Sequence, residues 1–257
     1  DINANIGTYR NKITKLPTTV AANGTFGGNG VKSVIGHAMG SQVGYVADGI
    51  FKSQDEIDNH ATQEGAALGR IRWKDLNNDG KITEADQEWI YDPTPDFTYG
   101  FTSNLSWKNF NLSFMMQGSQ GNDIFNYNLT DIQMANIGNI TVDAYNSRWT
   151  PETAATAKWP KATAGYTRTW LMSDRFIENG SYLKMKYITL GYDFVHPTKF
   201  IEKIGLTFTA NNLFTITNYS WFDPDVNAGG NNAACPGVDS YSYPSSRSFA
   251  FGLNIVF

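Results

Sequence analysis

The last twelve residues, Ser246 to Phe257, read SRSFAFGLNIVF and leave little freedom in what they can form. Phe249, Phe251, Leu253, Ile255 and Phe257 fall on one side of a two-residue repeat. Ser248, Ala250, Gly252 and Asn254 fall on the other, an arrangement that only an extended strand produces. In a water-soluble sheet the second side would carry Lys, Glu or Thr toward solvent, but here it is small and weakly polar. Large apolar groups outward, small groups inward and a chain that stops on Phe fit a strand of a membrane-spanning barrel.

The same pattern recurs upstream. Phe97, Tyr99, Phe101, Leu105 and Trp107 alternate with Thr98, Gly100, Thr102, Asn104 and Ser106. After Lys108 and Asn109, the residues Phe110, Leu112, Phe114 and Met116 alternate with Asn111, Ser113, Met115 and Gln117, which predicts a hairpin with a very short turn. Ile188, Leu190, Tyr192 and Phe194 form a further run, as do Leu206, Phe208 and Ala210, and Ala4 and Ile6 more weakly.

Only 17% of the 257 residues are charged and 14% are aromatic, against roughly 25% charged in an average soluble domain. A lipid-facing surface needs no charge. The net charge of -4 offers no basic face for nucleic acid. The single cysteine, Cys235, forms no internal disulfide. No apolar run is long enough for a membrane helix, which barrel strands do not need. The chain opens without Met or a signal segment, inside a strand-like stretch, and reads as part of something longer.

In chain order the pattern predicts strands at 1–15, 42–51, 97–107, 110–118, 182–194, 204–214 and 246–257, with a short helix between Asp131 and Arg148. Connections 52–96, 119–181 and 215–245 are long and polar, whereas Lys108–Asn109 and the turn containing Pro197 are short. Short turns at one end and long loops at the other match an outer-membrane barrel. Counting back from the C-terminus places the three long connections outside; it also places 16–41 inside, where its length is unexplained. Seven strands cannot close, so further strands are expected upstream of Asp1.

Several segments carry a family resemblance: VGYVADGIF (43–51), DLNNDGKITEAD (75–86), PDFTYG (95–100), FMMQGSQGND (114–123), WTPE (149–152), DRFIENGSYLKMKYITLGY (174–192), NNLFTITNY (211–219) and FDPDV (222–226). Together and in order, they resemble the C-terminal portion of SusC/RagA TonB-linked outer-membrane transporters. The resemblance implies an all-β fold, part of an antiparallel transmembrane barrel of about 22 strands, the size class of plugged outer-membrane transporters. It implies residues 1–257 as one barrel segment, with plug and TonB-contacting parts elsewhere, and a SusD-like surface lipoprotein capping the mouth. The implied activity is import of glycan or oligopeptide, without catalysis.

The sharpest chemical motif is Asp75 to Asp86. Oxygen donors at positions 1, 3 and 5 (Asp75, Asn77, Asp79), Gly80 at 6, the Lys81 carbonyl at 7 and a carboxylate at 12 (Asp86) have the spacing of a calcium loop. Asp at position 12 reaches less far than the usual Glu, and the competing reading is an Asx-rich turn held by its own hydrogen bonds. A bound calcium would order the 52–96 connection.

Other candidates are weaker. His37, His60 and His196 stand apart from carboxylates and read as surface residues; Asp193 reads as a lumen-facing polar group. Asp223 and Asp225 flank Pro224 as turn residues. Trp170, Tyr219, Trp221 and Phe222 lie in outer loops, where they would stack on sugars or peptides or pack the loops together. No nucleophile–base pair or phosphate-cradling loop is present. The alternative to a transporter wall is a soluble all-β carbohydrate-binding module, which would bury the aromatic face in a sandwich.

Overall fold

The computed structural model describes residues 1–16, 35–130, 139–163, 171–226 and 236–257. The described residues form fourteen strands: β1 (Ile2–Gly7), β2 (Gln42–Tyr45), β3 (Ala47–Ile50), β4 (Ile71–Trp73), β5 (Gln87–Tyr91), β6 (Phe97–Trp107), β7 (Phe110–Gln120), β8 (Asp123–Asn126), β9 (Ile177–Asn179), β10 (Tyr182–Val195), β11 (Lys203–Asn211), β12 (Thr215–Thr217), β13 (Val238–Asp239) and β14 (Ser248–Val256). The main sheet is an antiparallel meander, β1-β6-β7-β10-β11-β14, with β12 also paired to β10. Among the described residues no helix is long and apolar enough to cross a membrane.

Register carries the alternation across the sheet. Leu105 pairs with Leu112, Leu112 with Leu190, Leu190 with Phe208 and Phe208 with Phe251, so one apolar row crosses five strands on one face. That face stays uncovered: Phe251 and Phe257 are each 85% exposed and Trp107 67%. A sandwich would have buried them, so the soluble-module alternative loses its structural basis. The opposite face forms a polar ladder, with Ser113 donating to Asn104 at 2.6 Å, a Thr189–Thr209 contact at 2.9 Å and Asn211 donating to Ser248 at 3.0 Å. Gly252 sits on this face where a Cβ would come within 2.3 Å of Thr207 Oγ1, so a larger residue there needs that hydroxyl to rotate away.

Most buried apolar residues lie outside the main sheet. Tyr91, Phe125, Phe176 and Val238 form one cluster and Tyr45, Ile71 and Trp73 another, all in the long connections. Water-exposed loops pack a conventional core, while the long strands turn their apolar side chains away from any protein core. That inversion is what a lipid solvent requires.

Two short turns, Lys108–Asn109 and 196–202, close one end of the meander, and Lys108 adopts a positive φ of 54° to make the tighter one. The connections 8–96, 121–181 and 212–247 all leave from the other end. The stretch 42–51 is not a strand of the main sheet: it splits into β2, paired with β5, and β3, paired with β4. Each piece is four residues long, well short of the roughly nine to eleven needed to span a bilayer, and Gly49 at φ 94° breaks the run. β1 therefore pairs directly with β6, and the described residues of the segment expected inside, 16 and 35–41, belong to one long connection that starts and ends on the same side as the others. Its residues 17–34 lie outside the described residues. The first strand also ends at Gly7 rather than near Lys15, because Thr8 and Arg10 turn away to bond the backbone and side chain of Asp96.

Two further differences are local. β10 carries a bulge between Met185 and Tyr187, so its inward parity shifts from Tyr182 and Lys184 to Tyr187, Thr189 and Asp193. The expected helix spans Val142–Ser147, with the Thr141 hydroxyl accepting from the Ala144 N–H; its proposed start at 131–138 is outside the described residues.

Candidate functional site

The Asp75–Asp86 segment folds as a compact loop docked on the rest of its excursion. The Thr62 N–H donates to the Gly80 carbonyl at 2.8 Å, the Ile82 N–H donates to the Thr62 carbonyl at 3.0 Å, and Ile82 packs on the Tyr45–Trp73 cluster. Inside the loop, Gly80 N–H donates to Asp75 Oδ2 at 2.9 Å, Asp79 N–H to Asn77 Oδ1 at 2.8 Å and Lys81 N–H to Asp79 Oδ1 at 2.9 Å. Asn78 and Gly80 take positive φ values of 60° and 80°, which Asn and Gly tolerate and most residues do not. Asp75 Oδ1 is buried without a hydrogen-bond partner.

Asp86 does something other than the closing-ligand role its position implies. It is fully buried, and Oδ1 accepts from the N–H groups of Leu76 (3.0 Å) and Asn77 (3.4 Å) while Oδ2 accepts from Thr83 N–H (2.8 Å). Thr83 and Asp86 thereby form a capping box over the short helical turn Glu84–Asp86. The side chain is one methylene shorter than Glu, so its oxygens stay with the backbone turn. Burial works against its ionisation, but the N–H groups of Thr83, Asn77 and Leu76 outweigh it and hold the carboxyl below the usual Asp range.

The histidines do not gather ligands. His37 stacks on Trp89 at 3.5 Å, His60 leans on Phe51 at 5.1 Å and His196 begins the 196–202 turn. Among the described residues no group of three or more His, Cys, Asp or Glu is set to hold a metal. Asp193 faces the polar side of the sheet, paired with Lys203 at 2.8 Å and accepting from Asn111 at 3.2 Å. Trp170 and Cys235 lie outside the described residues.

Besides the turn and the aromatics its sequence predicts, the third excursion holds a buried polar scaffold that no local sequence pattern marks. Tyr219 is buried and its hydroxyl donates to Asp239 at 2.6 Å, so it packs the loop. Trp221 and Phe222 lie in edge contact at 5.2 Å, and Phe222 is exposed. Asp223 does make its expected turn bond, accepting from Asp225 N–H at 3.0 Å, yet it also takes an ion pair from Lys184 at 2.8 Å. Glu178 accepts from Asn126 and from both the N–H and hydroxyl of Ser220, each at 2.8 Å. Lys184, Glu178 and Asp239 sit 39, 42 and 20 residues from their partners, separations at which no spacing rule operates.

The first excursion also holds a polar cleft of about 570 Å³, bordered by Asp55, Glu56, His60, Arg72, Lys74 and Asp75 above the buried Trp73. Arg72 is already paired there with Asp48 at 3.2 Å and Glu56 at 3.6 Å.

Comparison with known proteins bears on what this geometry is for. No family model matches the chain. It is 34% identical over 232 residues to TonB-dependent receptor P3 of Formosa agariphila, covering 86% of this chain and 22% of that protein. It is 28% identical to TonB-dependent receptor SusC of Bacteroides thetaiotaomicron over its whole length, which is 24% of SusC. It superposes on a chain of the RagAB peptide transporter with a TM-score of 0.71 at 22% identity, covering 99% of this chain and 26% of that one. The chain belongs to the SusC-type TonB-dependent receptors. It spans about a quarter of the length of these curated relatives. The uncovered apolar face, the polar ladder behind it and the one-sided excursions are thus features of a SusC-type barrel wall.

Proposed function

We propose that this chain forms part of the wall and mouth of an outer-membrane transporter that imports a large nutrient, glycan or oligopeptide, with energy delivered through TonB. The observation that carries the reading is the sheet whose outward face is apolar from β1 to β14 while every long excursion leaves from one end. Kinship to TonB-dependent receptors, and a fold shared with a peptide transporter, support it. The tight turns lie at the periplasmic end, where Trp107, Phe110 and Tyr192 form an interfacial aromatic group with Lys108 Nζ 4.9 Å above Trp107. The excursions face outside and form the docking side for a SusD-like lipoprotein.

The Asp75–Asp86 loop is the calcium-holding element of this mouth. Its hard oxygen donors suit that ion, and the buried, unpartnered Asp75 Oδ1 is the observation that fits it. Asp75, Asn77, Asp79 and the Lys81 carbonyl would hold the ion, with Asp86 bracing the turn from behind.

The reading is tested by uptake of labelled oligopeptide or oligosaccharide in cells that carry or lack the full-length gene, each with and without TonB. Uptake requiring both supports it. Uptake independent of TonB, or protein recovered in the soluble fraction, overturns it.

A further inference from the structure

Beyond Thr217 the third excursion leaves its pairing with β10, yet its carboxylates return to that strand. Lys184 stands on the inward side of β10, opposite Gln117 of β7, and is only 1% exposed. Its ammonium donates to both oxygens of Asp223, at 2.8 and 3.0 Å, with Ser245 Oγ and Asp225 Oδ2 each at 3.5 Å. The N–H groups of Asp225 and Ser245 complete the Asp223 carboxylate at 3.0 and 3.1 Å. Lys186, at the bulge of the same strand, lies 3.9 Å from Asp225. On its other side the segment is tied at Ser220 to Glu178.

Charge pairing away from water recovers roughly what dehydrating the two ions costs, so such a pair fixes a geometry without making it deep. Were residues 218–226 to lift, Lys184 would regain water on a polar wall and Asp223 on a surface loop. We propose that residues 218–226 form a strap across the inward side of β10, and that the Lys184–Asp223 pair sets whether the strap is seated. The strap rests on the reading of this face as an aqueous lumen. Seated, it narrows the mouth beside β10 and holds Trp221 and Phe222 in fixed positions; lifted, it leaves the wall polar and open.

The test is hydrogen exchange on the full-length protein in detergent micelles, a readout that does not depend on transport. Asp223→Asn leaves Lys184 with only the more exposed Asp225 carboxylate, 3.5 Å away, and alters no barrel strand. It should speed exchange of residues 219–226 by about ten-fold or more while β10 and β11 stay within about two-fold. Lys184→Met should do the same by stranding the Asp223 carboxylate. Replacing both, Lys184→Met with Asp223→Asn, removes the two charges together, keeps an oxygen to accept one of the two N–H groups, and should bring exchange back toward the unmodified level. Exchange in Asp223→Asn within about two-fold of the unmodified protein overturns the proposal, as does a double variant as fast as the singles. Should Lys184→Met fail to assemble, Asp223→Asn alone decides. Failure here would leave the transport reading standing, since uptake and TonB dependence are measured separately.

Discussion

The rings of Phe208 on β11 and Phe251 on β14 lie 5.0 Å apart as direct cross-strand partners on the outward face. In lipid such a pair gains little from burial, because the surrounding chains are as apolar as the rings. What it fixes is register: a slip of one residue would turn Phe251 inward and bring Gly252 and Asn254 to the lipid.

That asymmetry between faces is directly measurable. Phe251→Arg should destabilise the assembled barrel by about 2–4 kcal/mol if the site is near the bilayer midplane, whereas Asn254→Lys on the inward face should cost far less. Urea titration of the full-length protein in lipid vesicles gives both values. Equal costs would mean that the two faces do not meet different solvents.

The Asp86 carboxylate ties loop stability to pH. Its folded pKa lies below the unfolded value, so its contribution is fully present above the unfolded Asp value of about 3.9 and is lost as pH falls through the folded value. Protease resistance within 75–86 should therefore hold from neutrality to about pH 4 and fail below it. Asp86→Ala should abolish that resistance at every pH by leaving the Leu76 and Thr83 N–H groups without their acceptor.

Much of the wall could be read from the sequence, because its alternation is local and repeated: the Lys108–Asn109 turn and the β7, β11 and β14 faces lie where the pattern puts them. The 42–51 stretch misled because alternation over four residues is the same in a small extramembrane sheet as in a barrel strand, and only strand length separates the two. The bulge of β10 leaves no mark beyond one extra residue. The excursion scaffold was invisible for a different reason, since Tyr219–Asp239 and Lys184–Asp223 are pairs made by folding between residues that carry no motif. The Asx- and Gly-rich turn at 75–86 was legible, but the use of Asp86 as a backbone acceptor depends on where Leu76 and Asn77 turn, which composition does not specify.

Removing the Tyr219 hydroxyl isolates one part of that scaffold. Tyr219→Phe keeps the ring but leaves the buried Asp239 carboxylate with the Ser242 N–H and no hydroxyl donor, and should weaken the excursion by about 1.5–3 kcal/mol. Burial, followed by the hydrogen bond to Asp239 and then that residue's charge, pushes the Tyr219 phenol above the ordinary tyrosine range, so it remains a donor at any physiological pH. Exchange of residues 238–242 should rise while the β6–β7 hairpin is unchanged.

Calcium, if held by the first excursion, should be seen in its order. Chelation, or Asp75→Ala with Asp79→Ala, should speed proteolysis within 52–96 and weaken lipoprotein capture before barrel heat-resistance falls. An anomalous-scattering map without an ion, together with unchanged loop protection in the double variant, would leave the segment as a turn.

The most direct measurement places single spin labels at 249 to 255 of the full-length protein, with Cys235→Ser, in lipid bilayers and compares contact with oxygen and with a water-soluble nickel complex. Labels at Phe249, Phe251, Leu253 and Ile255 should meet oxygen and exclude nickel, and labels at Ala250, Gly252 and Asn254 should show the reverse. An alternation of opposite phase, or equal access at all seven positions, would contradict a lipid-facing wall.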